Sequence, residues 1–201
     1  MGKFNLTKIE TGDRFSLNKS LGLDEIRVEL TWNGGDLDAQ AWLLNADGII
    51  VNDAAFVFYN SENRTEAFDR AKHGNRANYL KSTRPMSADG AVLGAKDELK
   101  GGIETINIAL SKIEPSVEEV VITASCHNGI SFGSVQNAKI TVLDENSGDP
   151  LCCYELDSEY HTEDACVAGR FVINNVTGDW EFEAVGSGYS GGLQTLVDMY
   201  T

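Results

Sequence analysis

Basic side chains are scarce: 16 Lys and Arg stand against 31 Asp and Glu, a net charge of −15 at pH 7. A chain this acidic lacks the cationic surface that collects phosphate contacts, which excludes a basic nucleic-acid binder. Long apolar runs are missing as well. Nothing approaches the roughly 20 consecutive apolar residues of a membrane-spanning helix. Met1 to Thr11 shows neither the basic nor the apolar region of a secretory signal, so a cytoplasmic protein starting at Met1 is expected. Cysteine is limited to Cys126, Cys152, Cys153 and Cys166, with no CxxC pair and no zinc-ligand spacing. Cys152 and Cys153 are adjacent in an apolar run, where strand neighbours face opposite ways, so reduced strand thiols are expected rather than a paired redox centre. Of the three histidines, His73 and His161 fall in polar segments read as exposed, and His127 adjoins Cys126 in a geometry that keeps the two from sharing a proton. Neither a GxxxxGK[ST] phosphate loop nor a GxSxG elbow occurs. No catalytic residue is expected.

What the chain does have is core. Hydrophobic residues make up 42% and charged residues 23%, enough apolar side chain to fold. The dominant period is two: in Ile26-Arg27-Val28-Glu29-Leu30-Thr31-Trp32 every second residue is apolar, the pattern of a strand with one buried face. Comparable runs follow at Leu37 to Leu44, Ala55 to Tyr59, Ile103 to Leu110, Val120 to Cys126, Ala138 to Leu143, Leu151 to Leu156, Val167 to Ile173 and Trp180 to Val185. Turn clusters such as Asn33-Gly34-Gly35, Asp47-Gly48 and Asn128-Gly129 separate them. Nine or ten such strands predict an all-β chain, a β-sandwich of two sheets with short helical insertions, as one domain over 1–201. A closed barrel is the alternative. Trp32, Trp42 and Trp180 are read as core, with Trp42 of interest if it were exposed beside Asp38.

The segment from Ser61 to Pro85 breaks the pattern. Arg64, Arg70, Lys72, Arg76, Lys81 and Arg84 are six of the 16 basic residues, so this insertion at 61–85 is net positive on an acidic protein. Glu66 to Lys72 predicts a short helix stopped by Gly74. The segment reads either as a solvated excursion or as a docking element for an anionic partner.

The stretch Gly34-Gly35-Asp36-Leu37-Asp38 carries the main chemical signal. Aspartates at i and i+2 of a strand start point to the same side, placing two hard oxygen donors beside a glycine turn. Ca²⁺ takes 6 to 8 oxygen ligands, and carboxylates with loop carbonyls are its usual supply. An EF-hand is excluded because Ala41 stands where its glycine is required. A site must therefore assemble from several loops, for which Asn60, Asp89, Asp97 and Glu98 supply further oxygens near turns. The competing reading of Asp36 and Asp38 is a solvated strand end.

These blocks together resemble the TerD-like tellurium-resistance and stress-response proteins. The resemblance rests on Leu23 to Leu44, Phe56-Val57-Phe58-Tyr59-Asn60, Ser131 to Ala138, and Trp180 to Leu193 with its Gly186-Ser187-Gly188-Tyr189-Ser190-Gly191-Gly192-Leu193 close. It implies a calcium-binding β-sandwich with Asp36, Asp38, Asn60 and Asp89 at ligand positions. Ala55 departs from a frequent aspartate, and Lys100-Gly101-Gly102 replaces a run of acids, so Asp97 and Glu98 are the substitutes. The function implied is a non-enzymatic, calcium-dependent interaction platform linked to tellurite resistance, with protein partners in a stress-response complex or at the membrane periphery. A metal-dependent hydrolase on the same carboxylates, or a sandwich that recognises lipid or carbohydrate, is the alternative.

Overall fold

The computed structural model describes residues 6–96, 102–127, 129–156 and 160–201. Twelve strands among them form two six-stranded sheets. The first sheet runs, edge to edge, β1 (Thr7–Lys8), β10 (Pro150–Glu155), β9 (Gln136–Asp144), β3 (Glu25–Asn33), β7 (Gly102–Ala109) and β6 (Val92–Leu93). The second runs β2 (Arg14–Leu17), β12 (Trp180–Tyr189), β11 (Ala165–Ile173), β8 (Glu119–Cys126), β4 (Leu37–Leu44) and β5 (Phe56–Val57). Among the described residues, neighbouring strands pair antiparallel except β1 with β10. Both sheets keep free edges, so the fold is a sandwich and not a closed barrel.

Alternation builds the first sheet as expected. Ile26, Val28, Leu30 and Trp32 of β3 are buried between the sheets, while Arg27, Glu29 and Thr31 face outward. The second sheet departs from that rule because its outer face is covered. All eight residues of β4 are buried. Leu37, Ala39, Ala41 and Leu43 join the inter-sheet core, whereas Trp42 and Leu44 join a second cluster with Val121, Val167 and Leu196. Leu196 belongs to α3 (Gly192–Tyr200), a C-terminal helix that packs on β8 and β11 and was not anticipated. Trp42 lies flat on Phe56, with ring centroids 3.8 Å apart, and meets Tyr200 at 5.2 Å. It is fully buried, as are the cores around Trp32 and Trp180.

Anchorage of α3 is nonlocal. Gly191 at φ 110° offers no side-chain cap, and Asp164, just before β11, takes its place: Oδ1 accepts from the Gly191 and Gly192 amides, each at 2.8 Å. Asp164→Ala is expected to lower stability by about 1–2 kcal/mol and to loosen α3 from Trp42. Thermal melting with tryptophan emission checks this, and Asp164→Asn should recover most of the loss.

The strand expected at Ala55 to Tyr59 shortens to two residues. Ser61 Oγ accepts from the Phe58 amide at 3.0 Å and donates to the Phe56 carbonyl at 2.9 Å, turning the chain before the ladder can extend. The helix expected at Glu66 to Lys72 forms later, as α1 (Arg70–His73), because Asp69 Oδ1 caps the Ala71 amide at 2.7 Å. Gly74 stops it as expected, at φ 73°. A second helix, α2 (Arg76–Ser82), follows from the Asn75 cap.

Candidate metal centre

Gly34 and Gly35 both take left-handed φ, 70° and 71°, closing the turn from β3 into β4. A Cβ at Gly35 would stand 2.8 Å from Ile130 Cδ1 and 3.1 Å from Val135 Cγ2, so a side chain there would displace Ile130 as well as strain the backbone. Asp36 follows at once, and its carbonyl accepts from the His127 amide at 2.9 Å. Asp38 pairs with Ser125 across β4 and β8, its side chain 8% exposed. His127 Nδ1 stands 3.7 Å from Asp38 Oδ2. Behind Asp38 the outer face continues as a hydrogen-bonded ladder. Gln40 Nε2 donates to Ser125 Oγ at 2.9 Å, Thr123 Oγ1 donates to Gln40 Oε1 at 2.7 Å, and Trp42 Nε1 donates to Thr123 Oγ1 at 2.9 Å. This network fixes the β4/β8 surface on which Asp38 sits.

The structure adds a carboxylate that residue-by-residue reading overlooked. Glu104 of β7 is 2% exposed, and its Oε2 accepts from the Ala39 amide at 2.7 Å, one residue from Asp38. Its signal was present: Glu104 is in phase with Ile106 and Ile108, so period two places an acid on the buried face.

The remaining sequence candidates are placed less evenly. Asn60 is exposed beyond β5, whose register with β4 runs toward the Asp38 end, and its Oδ1 accepts from Arg76 Nη2 at 3.4 Å. Asp89 does not join the group. It lies by the Ala91 carbonyl that receives the Ala109 amide, at the end of β7 opposite Gly102, and Gly102 pairs with Trp32 beside the glycine turn. Eight strand residues, about 23 Å, separate those ends. Asp89 is a turn staple instead: Oδ1 accepts from Ser87 Oγ at 2.5 Å and the Ala91 amide at 2.9 Å, and Oδ2 from the Glu114 amide at 3.0 Å. Asp97 and Glu98 lie outside the described residues. Among the described residues, no three His, Cys, Asp or Glu side chains form a metal-holding group.

Two other readings change. His73 is buried, with Nε2 3.3 Å from Glu66 Oε1, where an exposed ring was expected. The basic insertion has spent most of its charge internally. Arg64 and Arg84 bind backbone carbonyls, Arg76 pairs with Glu62 at 2.7 Å and Lys72 with Glu66. A docking surface for anions is left with Arg70 and Lys81, too few to favour that reading.

The cysteines are free, and burial pushes the thiols of Cys126, Cys152 and Cys166 up to about 12. Asp164 and Asp38 add to the effect at Cys126. At pH 8 these three should react with a maleimide about a thousandfold more slowly than an ordinary thiol, since the thiolate is the nucleophile. Timed alkylation with mass spectrometry checks this; fast modification of any of the three would refute it.

The described residues form a two-sheet β-sandwich with an acidic strand start and a buried glutamate at one end. The TerD domain matches residues 6–200, and the chain belongs to the TerD family. It is 31% identical to the uncharacterized protein YceE of Bacillus subtilis (strain 168), over 96% of each chain. Tellurium resistance protein TerD of Alcaligenes sp is 30% identical, over 96% of this chain and 95% of that one. General stress protein 16U of Bacillus subtilis (strain 168) is 28% identical over 94% of each. The fold is shared with a solved homologue of telluride resistance protein TerD from Streptomyces coelicolor A3(2), at a TM-score of 0.63 and 19% identity over 87% of this chain and 95% of that one. The family is one of tellurium-resistance and stress-response proteins.

Proposed function

We propose that this chain is a non-enzymatic calcium-binding module of the cytoplasmic stress response, linked to tellurite resistance, whose Ca²⁺-loaded end is the surface its partners recognise. The observation that carries the reading is the pair of strand-start aspartates, Asp36 and Asp38, at the Gly34-Gly35 turn, with Glu104 buried against the Ala39 amide at the same end of the sandwich. Carboxylate oxygens gathered beside a glycine turn are the usual supply of ligands for a hard divalent cation such as Ca²⁺. The donor set is oxygen only, which suits Ca²⁺ in kind. Asp36, Asp38 and Glu104 would hold the ion, Asn60 would join on release from Arg76, and Asp97 and Glu98 would complete the sphere. Bound calcium would supply positive charge that orders the acidic end. Partners are then proteins of a stress-response complex or an anionic membrane surface.

Calorimetric titration of the metal-stripped protein with Ca²⁺, with Mg²⁺ as control and melting followed in parallel, tests the reading. Binding accompanied by a higher melting temperature supports it; neither heat nor stabilisation refutes it. The hydrolase reading gains one observation, the His127 ring beside Asp38. Metal-dependent turnover in a phosphoester screen, lost in His127→Ala, would favour it. The lipid or carbohydrate reading asked for an exposed Trp42, and that ring is buried.

A further inference from the structure

At the end of the sandwich opposite Asp36, the two sheets part around a cavity of about 670 Å³, within the range of small-molecule pockets. Its apolar wall is Leu17, Leu23, Leu110, Ile113, Val117 and Trp180. Leu21, next to the lining Gly22, and the lining Ile173 are 57% and 41% exposed, so the mouth is apolar as well. The ionisable groups lining the cavity are Asp24 and Glu114, both acidic, with no Lys or Arg among the lining residues. Both are held in place. Asp24 accepts from the Ser111 amide and Ser111 Oγ, each at 2.8 Å, leaving carboxylate lone pairs for a further donor. Glu114 is positioned through its backbone amide by Asp89, while its carboxylate has no hydrogen bond or ion pair among the described residues. Trp180, 7% exposed, presents an indole whose N–H makes no hydrogen bond among the described residues.

We propose that this cavity binds a small amphipathic cation, an aromatic or branched alkyl amine. The apolar body packs on Trp180 and the leucines, and the ammonium is held between Asp24 and Glu114. An apolar wall rewards burial of a ring, and the Trp180 face attracts a nearby cation. Acidic groups without a basic counterpart disfavour fatty acids and other carboxylates, which would bring like charge to the mouth. The chain's net charge of −15 further raises the local concentration of cations. This site is at the far end from the proposed calcium centre and stands or falls independently of it.

Tryptamine is the probe, with 3-methylindole as its neutral counterpart and indole-3-acetate as its anion. The ¹⁵N-labelled full chain is titrated to about 5 mM, a range that reads weak affinities. The Trp180 indole N–H resonance is assigned by Trp180→Phe. Tryptamine is expected to move that resonance and to bind at least about fivefold more tightly than either counterpart. Glu114→Gln is expected to weaken tryptamine about fivefold and leave 3-methylindole unchanged, the scale of a half-exposed charge pair. No response at Trp180 to any probe would overturn the cavity as a ligand site. Equal or tighter binding of the neutral or anionic probe, or indifference to Glu114→Gln, would overturn the cationic class.

Discussion

Arg64→Ala is expected to unfasten the segment from Ser61 to Gly94 while the two sheets stay folded. Arg64 is 5% exposed, and its guanidinium donates to four carbonyls: Tyr59 at 2.8 Å, Ser61 at 3.3 Å, Leu80 at 2.9 Å and Thr83 at 2.8 Å, with Nε on Thr83 Oγ1 at 2.6 Å. The guanidinium also lies over Tyr79, its Cζ 5.7 Å from the ring centroid. No carboxylate pairs with it in these contacts; backbone dipoles of a turn and a helix end carry the charge, and burial pulls its pKa below the usual arginine value. Truncation leaves buried acceptors without a donor, each costing about 1–3 kcal/mol before water enters. A net local loss of about 3 kcal/mol is expected, enough to open the insertion without melting the core. Arg64→Lys should recover little, since an ammonium cannot span five acceptors with a planar fork. Hydrogen exchange measured by mass spectrometry would show lost protection confined to the insertion. Protection unchanged in Arg64→Ala would mean that the aromatic contacts among Phe68, His73 and Tyr79 hold the segment without it.

That arginine shows where sequence pattern stops being informative. A basic residue in a polar segment reads as solvated because most are, and only the carbonyls gathered from positions up to 19 residues away reveal its burial. The sandwich was legible through β3, whose alternation follows from one covered face. β4 hides half its outer surface under α3, so its run of buried residues answers to a helix 150 positions downstream, and that helix begins at glycines capped by Asp164 rather than by a neighbour. The same limit explains the site. The spacing of Asp36 and Asp38 is local and was readable, but an acid beside a turn looks alike at either end of a sandwich. Strand direction sends Asp89 to the far end, where it orders the loop of Glu114, and brings Glu104 to the near one.

Calcium is expected to raise the melting temperature of the metal-stripped chain, and Asp38→Ala to abolish the rise. At a free concentration of a hundred times Kd, binding to the folded state alone stabilises by about 2.7 kcal/mol, which for a chain of this size is about 5–10 °C. Asp38 carries the larger effect because its side chain is the more buried of the two strand-start aspartates and lies beside His127. Without calcium the variant should still fold, since the side-chain ladder through Gln40, Ser125, Thr123 and Trp42 does not use the Asp38 carboxylate. Glu104→Gln separates the ion's demand from the fold's: the amide oxygen still accepts from the Ala39 amide, so the fold is retained, while the lost charge should weaken calcium about tenfold. Mg²⁺ should stabilise less, because it demands a smaller, near-octahedral shell. A calcium response retained in both variants would remove this end of the sandwich as the metal centre, whatever the parent chain binds.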